Sequence, residues 1–360
     1  MFKSKWKPLW IVLLMLFLAL SLATFLVFFL FSSHFFRYVI QPVPVPTPVP
    51  SRSITSTTLP LRELWRRSGV LLQFYDLGPP LLSAAGGAVS FVDHSQGWQD
   101  SRLQVLDAET GQLRWQTGDV ANTSELSLAA GQKRLFIAVT WNIRAYDLFD
   151  GKQLWQTTGR LPGHTGYYLY LDGDRLIVHS TEDTRSKSQA VLSIYDTQTG
   201  ELLEQVKVET TNDRLLWRTT LVDYKDNCEQ LAAVDRASGR TIWQIAVKDC
   251  VRFWPDLVGS EKIFSTRAGE LFTADVETGK VKWRYPERCF SNAVVMDGIV
   301  YAICENGTLV GINRETGGTI GAIQFSAVET ADVPIYWLAT DGNRIFAYFG
   351  NSQELIAFEP

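Results

Sequence analysis

The feature that most constrains this fold is a thirteen-residue phrase that returns six times between Leu103 and Gly321. Each copy has an apolar half, a core related to Asp-x-x-Thr-Gly, and a second half that usually ends in Trp. The core glycines, spaced 40, 49, 39, 40 and 38 residues apart, are Gly111, Gly151, Gly200, Gly239, Gly279 and Gly317. The residues four positions before them are Asp107, Asp147, Asp196, Asp235, Asp275 and Asn313. The residues four positions after them are Trp115, Trp155, Glu204, Trp243, Trp283 and Gly321. A regular period of about 40 residues indicates a repeat architecture.

The phrase has the chemistry of a strand, a tight turn and a second strand. Its first half alternates apolar with small or polar side chains, which is the period of a half-buried β-strand. Asp and Thr bond the local backbone and Gly permits a positive φ, so the core predicts a turn. Between phrases lie two more strand-like runs, such as Asn292–Met296 and Ile299–Ile303, which flank the hairpin signal Asp297-Gly298. Each unit is therefore predicted to be a four-stranded meander, the blade of a β-propeller.

The two ends of the repeat region complement each other. The C-terminal stretch gives three strand candidates, Tyr336–Ala339, Arg344–Phe349 and Glu354–Glu359, and then stops. Leu61–Arg67 supplies a fourth, because its Trp65 corresponds to the Trp of the phrase. Joining it to the last blade leaves no open edge between the chain ends. The expected fold class is all-β, a seven-bladed β-propeller of four-stranded antiparallel blades.

The chain before the propeller predicts one transmembrane helix. Residues 9–31 contain no charged side chain, and a helix of that length spans roughly 34 Å, enough for a bilayer core. Three lysines precede it, so the positive-inside rule places residues 1–8 in the cytoplasm and exports the rest. A cleaved signal peptide is the alternative, since Ser21-Leu22-Ala23 offers small residues for a cut. The apolar run continues past that point to Phe31, which favours an uncleaved signal anchor at the cell membrane.

Residues 32–58 are predicted to form a stalk. Five prolines alternate with other residues from Pro42 to Pro50, and a Ser/Thr-rich stretch follows. Alternating prolines favour an extended polyproline II rod. A docking motif for a proline-reading module is the alternative, although such modules are mostly cytosolic. The prediction is a semi-rigid spacer between the bilayer and an extracytoplasmic propeller at residues 59–360.

Charge separates the two parts of the chain. The net charge is −4, but residues 1–58 carry +5, which leaves −9 on the remainder. A body this acidic lacks the electrostatic footprint of a nucleic-acid-binding protein. Nucleic acid is therefore excluded as an expected partner.

The repeated phrase resembles the PQQ-like β-propeller repeat of quinoprotein dehydrogenases and of non-catalytic relatives such as the bacterial outer-membrane assembly lipoprotein. The resemblance covers about residues 60–360. It implies that the Trp of each phrase stacks on the turn of an adjacent blade, forming a girdle. The tryptophans to which this role carries over are Trp65, Trp115, Trp155, Trp243 and Trp283. Glu204 and Gly321 then mark weakened junctions.

No catalytic, cofactor-binding or metal-binding residue is predicted. Quinoprotein dehydrogenases carry adjacent cysteines over the quinone, and no two cysteines are adjacent in this chain. The run Asp223–Asp226 lacks the alternating ligands and central glycine of a calcium loop. His94, His164 and His179 stand in no metal-binding arrangement. The phrase aspartates are interpreted as turn residues, and we expect no enzyme activity and no cofactor.

The four cysteines predict disulfides in an oxidising compartment. They are Cys228, Cys250, Cys289 and Cys304, and three pairings are open. Each of the local pairs flanks a predicted hairpin, which favours Cys228 with Cys250 and Cys289 with Cys304. Four buried free thiols are the alternative.

The sequence thus predicts a membrane-anchored, extracytoplasmic propeller that acts as a non-catalytic protein-interaction scaffold or receptor at the cell envelope. Its partner is an unidentified envelope or extracellular protein. Candidate contact residues lie in the loops Ser95–Ser101, with Trp98, and Ser180–Gln189, and at Trp254 and Trp337. The alternative functions are a ligand sensor or a quinoprotein-like dehydrogenase that uses the central funnel, and a structural spacer in a larger complex.

Overall fold

Strands account for the regular structure of the propeller because each repeat alternates short apolar runs with turn residues. The computed structural model describes residues 55–56, 59–72, 82–97, 100–118, 120, 126–139, 142–157, 165–183, 188–210, 215–217, 220–225, 229–235, 240–249, 251–253, 260–325 and 336–360. Within these residues lie 29 β-strands and one short 3-10 turn, Glu305–Gly307.

The strands form successive antiparallel meanders, which we number sheets 1 to 6 in chain order. Sheet 1 contains β3 (Leu82–Ala85), β4 (Ala88–Asp93), β5 (Arg102–Asp107) and β6 (Leu113–Thr117). Sheet 2 contains β7 (Leu126–Ala130), β8 (Arg134–Val139), β9 (Asn142–Asp147) and β10 (Gln153–Gln156). Sheet 3 contains β11 (Thr165–Asp172), β12 (Arg175–Asp183), β13 (Ser188–Asp196) and β14 (Leu202–Thr210).

The second half of the chain continues the pattern. Sheet 4 contains β15 (Leu215–Trp217), β16 (Thr220–Lys225), β17 (Gln230–Asp235) and β18 (Thr241–Ala246). Sheet 5 contains β19 (Val251–Phe253), β20 (Glu261–Thr266), β21 (Leu271–Asp275) and β22 (Val281–Arg284). Sheet 6 contains β23 (Val294–Met296), β24 (Ile299–Cys304), β25 (Thr308–Asn313) and β26 (Thr319–Gln324), with β1 (Thr55–Ser56) added beside β26.

The last sheet, which we call the closing sheet, combines the two ends of the propeller. It contains β27 (Tyr336–Thr340), β28 (Ile345–Phe349), β29 (Glu354–Glu359) and β2 (Arg62–Ser68). β2 pairs antiparallel with β29 from Arg62 opposite Glu359 to Ser68 opposite Glu354. This pairing confirms the predicted closure, in which an N-terminal strand completes the last sheet.

Hydrophobic clusters between neighbouring sheets make a continuous ring. Separate clusters join the closing sheet to sheet 1, sheet 1 to sheet 2, and sheet 2 to sheet 3. Tyr170 and Ile177 of sheet 3 pack on the cluster shared by sheets 4 and 5. Further clusters join sheet 5 to sheet 6 and sheet 6 to the closing sheet. The core therefore lies between sheets, because middle strands such as β4 and β28 are buried on both faces.

The strands β3, β7, β11, β23 and β27 lie innermost in their sheets. β3 contacts β7 and β27, β7 contacts β11, and β23 contacts β27. In sheets 1 to 5 the last strand in chain order lies at the outer edge, and in sheet 1 the residues of this strand, β6, are the most exposed. The predicted half-buried alternation therefore holds only near the outside.

The predicted arrangement of seven four-stranded blades is wrong. Six sheets have four strands, whereas sheet 6 has five because β1 pairs with the edge of β26. Thr55 lies opposite Gln324, and Ser56 lies opposite Ile323. A two-residue strand has no apolar alternation, so the sequence assigned these residues to the stalk. The unpaired backbone groups of β26 provide the hydrogen-bonding partners that the sequence pattern does not reveal.

The predicted transmembrane helix, residues 9–31, and most of the predicted stalk lie outside the described residues. Among the residues that are described, no helix has the length and apolar character needed to cross a membrane.

Candidate interaction surfaces

The phrase aspartates hold the turns between the third and fourth strands. Asp107 Oδ1 accepts hydrogen bonds from the backbone nitrogens of Glu109 and Thr110 at 3.1 and 2.9 Å, and from Thr110 Oγ1 at 3.0 Å. Its Oδ2 accepts from Arg114 at 2.8 Å. Burial alone would raise the pKa of Asp107, but the bonds from Arg114 and Thr110 outweigh it and hold this pKa at about 2. A carboxylate that accepts these hydrogen bonds stabilises the turn and is a poor base.

The other described turns repeat this geometry. The side-chain oxygens that accept from the two backbone nitrogens of the turn are those of Asp147, Asp196, Asp275 and Asn313. The same bonds lower the pKa of Asp196, whose largest contributor is Thr199. The Asp-x-x-Thr-Gly core is therefore a self-contained turn that fixes where the next strand begins.

In five sheets the turn between the third and fourth strands contacts the tryptophan of the preceding sheet. The indole nitrogens of Trp65, Trp115, Trp155, Trp243 and Trp283 donate to the carbonyl oxygens of Ala108, Leu148, Thr197, Val276 and Arg314 at 3.0, 3.0, 3.1, 2.8 and 2.8 Å. A Cβ at Gly111, Gly151, Gly200, Gly279 or Gly317 would lie 2.7, 2.6, 2.7, 2.5 or 2.7 Å from the side chain of that tryptophan. These glycines all have φ between 69° and 75°. The turn thus needs glycine for its φ and for the close approach of the ring.

The two departures from this pattern differ. Glu204 holds the tryptophan position of β14 and is exposed, and its counterpart Gly239 lies outside the described residues. Gly321 holds that position in β26, opposite Gly311. Sheet 6 faces the closing sheet, whose third and fourth strands come from opposite ends of the chain. At this place there is no Asp-x-x-Thr-Gly turn for a tryptophan to cover.

Leu59 packs at this junction instead. Its side chain is almost fully buried in the cluster between sheet 6 and the closing sheet. A Cβ at Gly311 would lie 2.5 Å from Leu59 Cδ1. Leu59 therefore fills the junction at Gly321, which was predicted to be weak. In the sequence this contact is represented by a single leucine before Pro60, and no hydrophobic periodicity identifies that leucine as buried.

Small polar side chains join the innermost strands. Ser83 Oγ of β3 accepts from Ala130 N of β7 at 2.9 Å, and Ser127 Oγ of β7 accepts from Leu169 N of β11 at 3.0 Å. Asn292, just before β23, accepts from Leu338 N at 2.7 Å and donates to Leu338 O at 2.8 Å. These polar groups are engaged in holding the sheets together around the centre of the propeller.

The described histidines are buried. His94 Nδ1 lies 2.6 Å from Ser101 Oγ, and burial lowers the pKa of His94 despite the opposing charge of Asp93. Burial lowers the pKa of His179 to about 4. The third histidine, His164, lies outside the described residues. Among the described residues, no group of three or more His, Cys, Asp or Glu side chains could hold a metal ion.

The cysteines are described only in part. Cys289 and Cys304 form a disulfide between the segment before β23 and the end of β24, and both residues are fully buried. Cys228 and Cys250 lie outside the described residues, so their predicted pairing stays a prediction.

The predicted contact loops are less open than expected. Part of Ser180–Gln189 belongs to β12 and β13, because these strands continue to Asp183 and from Ser188. Trp337 lies in β27 and is buried in the cluster between the closing sheet and sheet 1. Trp98 and Trp254 lie outside the described residues.

Exposed aliphatic residues recur at one register of the outer strands. The position directly before the girdle residue is held by Leu154 in sheet 2, Leu203 in sheet 3 and Ile242 in sheet 4, which are 41%, 53% and 48% exposed. We call these three residues, which lie on successive sheets, the rim arc. In sheet 5 the same position is Lys282, which pairs with Glu261 and Glu315, and in sheet 6 it is Ile320, which is 39% exposed. The rim arc was not predicted from the sequence, although two adjacent apolar residues in a strand indicate that one of them faces away from the core.

Comparison with known families gives one match that covers most of the chain. The family model described as "Outer membrane protein assembly factor BamB" matches residues 99–221 and 227–359. No curated protein matches the sequence.

Solved structures resemble the fold at low sequence identity. The β-propeller domain of Cps50 (Swd1) from Myceliophteria thermophila is 14% identical, covers 84% of this chain and 100% of its own, and gives a TM-score of 0.54. The computationally designed protein Ika8 is 11% identical, covers 81% and 99%, and gives 0.53. BamB from Moraxella catarrhalis is 16% identical, covers 85% and 100%, and gives 0.47.

Proposed function

The chain belongs to the family of outer membrane protein assembly factor BamB, and from this premise we propose that it is a non-catalytic protein-interaction scaffold, anchored in the cell membrane with its propeller outside the cytoplasm. The family is described as an assembly factor for outer membrane proteins, and this description supports a role in bringing proteins together. The charge-free run at residues 9–31, preceded by lysines, supports the anchor and its orientation.

The observation that carries the proposal is the rim arc. Leu154, Leu203 and Ile242 stand on three successive outer strands, and each is exposed by more than two fifths. Exposed aliphatic side chains that recur at one register indicate a surface that a protein partner covers. The ion-paired Lys282 at the same register shows that the fold itself accepts a charged residue there.

The anchor and its orientation are tested first, in cells. A periplasm-active reporter is fused after Pro360, and the membranes are extracted at alkaline pH. We expect an active reporter that stays with the membranes and a mature chain that retains Met1. A soluble product that begins near Thr24 contradicts the anchor.

The scaffold role is tested by placing a photo-reactive amino acid at Leu154 or Ile242, with Lys282 as the matched position outside the rim arc. We expect discrete adducts with another envelope protein from the first two positions and few from the third. Equal labelling from all three positions, or no adduct from any of them, contradicts the scaffold role. A bound chromophore together with dye-linked dehydrogenase activity in the purified protein would favour the catalytic alternative.

A further inference from the structure

Sheet 3 has a longer outer strand than any other sheet in the described part of the chain. β12, β13 and β14 each contain nine residues, whereas the strand that corresponds to β14 in each of the other sheets contains four to seven. β14 pairs with β13 from Leu202 opposite Tyr195 to Thr210 opposite Ser188, with a bulge at Leu203 and continuous pairing from Glu204 onwards. Among the described residues, no strand pairs with the other side of β14. In that part of the chain β14 is therefore a long open edge.

An open edge presents a row of backbone N–H and C=O groups that another extended chain can pair with. Sheet 6 shows that an outer edge of this propeller accepts such an addition, because Thr55 and Ser56 pair with Ile323 and Gln324 of β26. The addition is antiparallel and leaves the four-stranded meander beneath it intact. A fifth strand is therefore compatible with the geometry of these sheets.

The side chains at the start of β14 suit an added strand of particular composition. Leu202 and Leu203 are 47% and 53% exposed, side by side on both faces of the strand. Glu201 and Glu204, which flank them, are also exposed. Two leucines between two carboxylates complement an extended segment that carries aliphatic residues in its middle and Lys or Arg beside them.

We propose that β14 is a docking edge on which an extended, basic-flanked aliphatic segment of a partner protein adds as a fifth strand to sheet 3. This assignment rests on the proposed scaffold function and specifies its surface and the class of its ligand. Backbone pairing supplies the affinity, and the leucine pair with its flanking carboxylates supplies the selectivity.

The test uses the full chain in detergent and a phage library of random linear twelve-residue peptides. The library is selected on the wild type and counter-selected on Leu203→Lys, because a charge on an edge strand opposes pairing. The matched control is Leu113→Lys, which changes an exposed leucine on the five-residue strand β6 of sheet 1, outside the rim arc. We expect enriched peptides with alternating aliphatic residues and basic flanks.

A synthetic peptide from the selection should bind Leu203→Lys at least tenfold more weakly than the wild type, and Leu113→Lys as well as the wild type. Bound peptide should slow hydrogen exchange at alternate amides of β14. No enrichment after counter-selection, or equal affinity for both variants, overturns the docking edge. Discrete adducts from the rim arc alongside that result would leave the scaffold function standing, whereas no partner in either experiment would remove both.

Discussion

The contact between Gly279 and Trp243 allows the girdle to be tested by a matched pair of glycine substitutions. Gly279 has φ +71°, and a Cβ on it would lie 2.5 Å from Trp243 Cγ. Gly298 has φ +75° and no heavy atom within 4 Å of its Cβ position. Alanine at either glycine meets the same backbone strain, but only at Gly279 does it also meet a ring.

The expected losses of stability follow from the backbone strain and from the contact with the ring. Left-handed backbone costs alanine about 1–2 kcal/mol, partly offset by the lower entropy of the unfolded chain. Gly298→Ala should therefore destabilise by about 1 kcal/mol. Gly279→Ala must also displace a ring whose nitrogen donates to Val276 O at 2.8 Å. Overpacking adds about 1–3 kcal/mol, so the total should reach about 3 kcal/mol.

The assay is equilibrium unfolding in guanidinium chloride of five chains: wild type, Gly298→Ala, Gly279→Ala, Trp243→Ala and the Gly279→Ala/Trp243→Ala double variant. Trp243→Ala alone should cost about 3–5 kcal/mol, since the side chain is buried. In its background Gly279→Ala should cost only the 1 kcal/mol of backbone strain. The coupling free energy should therefore be about 2 kcal/mol.

A coupling below about 0.5 kcal/mol would refute the reasoning, because it would mean that the ring and the turn do not constrain each other. Equal destabilisation by Gly279→Ala and Gly298→Ala would have the same meaning. The midpoints are compared only where the denaturant slope is unchanged, so that the difference reports stability.

Three further outcomes are expected. Leu59→Ala should destabilise the protein by about 2–4 kcal/mol in guanidinium unfolding. Gly311→Ala should destabilise the Leu59→Ala variant less than the wild type, because Leu59 Cδ1 occupies the space that a Cβ at Gly311 would need. Equal destabilisation in the two backgrounds would contradict this packing. Burial holds the pKa of His179 at about 4 in the folded protein, against an ordinary 6.5. As the pH falls, His179 is therefore protonated first in the unfolded chain. The free energy of unfolding should keep its full value above about pH 6.5 and fall by up to roughly 3 kcal/mol towards pH 4. His179→Gln should remove that part of the pH dependence, measured by unfolding midpoints at pH 7 and 4.5. Cys304→Ser, which opens the bond to Cys289 across 15 residues, should cost about 3 kcal/mol, whereas an unchanged thermal midpoint would show that the bond is not formed in the native protein.

The sequence by itself determined the repeat unit and its turns. Asp107 and Gly111 could be assigned because a turn needs local hydrogen bonds and a positive φ, which are properties of a few adjacent residues. The closure by Leu61–Arg67 could also be predicted, because Trp65 repeats the pattern of the phrase. The turn is predicted from a few adjacent residues, and the closure from comparing both ends of the repeat region with the repeated phrase.

Only the tertiary structure decided the features that depend on distant neighbours. Thr55 and Ser56 form a strand because β26 offers an edge some 270 residues away along the sequence. Leu59 closes a junction because Gly311 and Gly321 leave space there. The length of β14 and the exposure of Leu203 follow from pairing with β13 and from the absence of a covering strand in the described sheet. Periodicity shows which side chains alternate along a strand, but the neighbouring sheet decides which of them are covered.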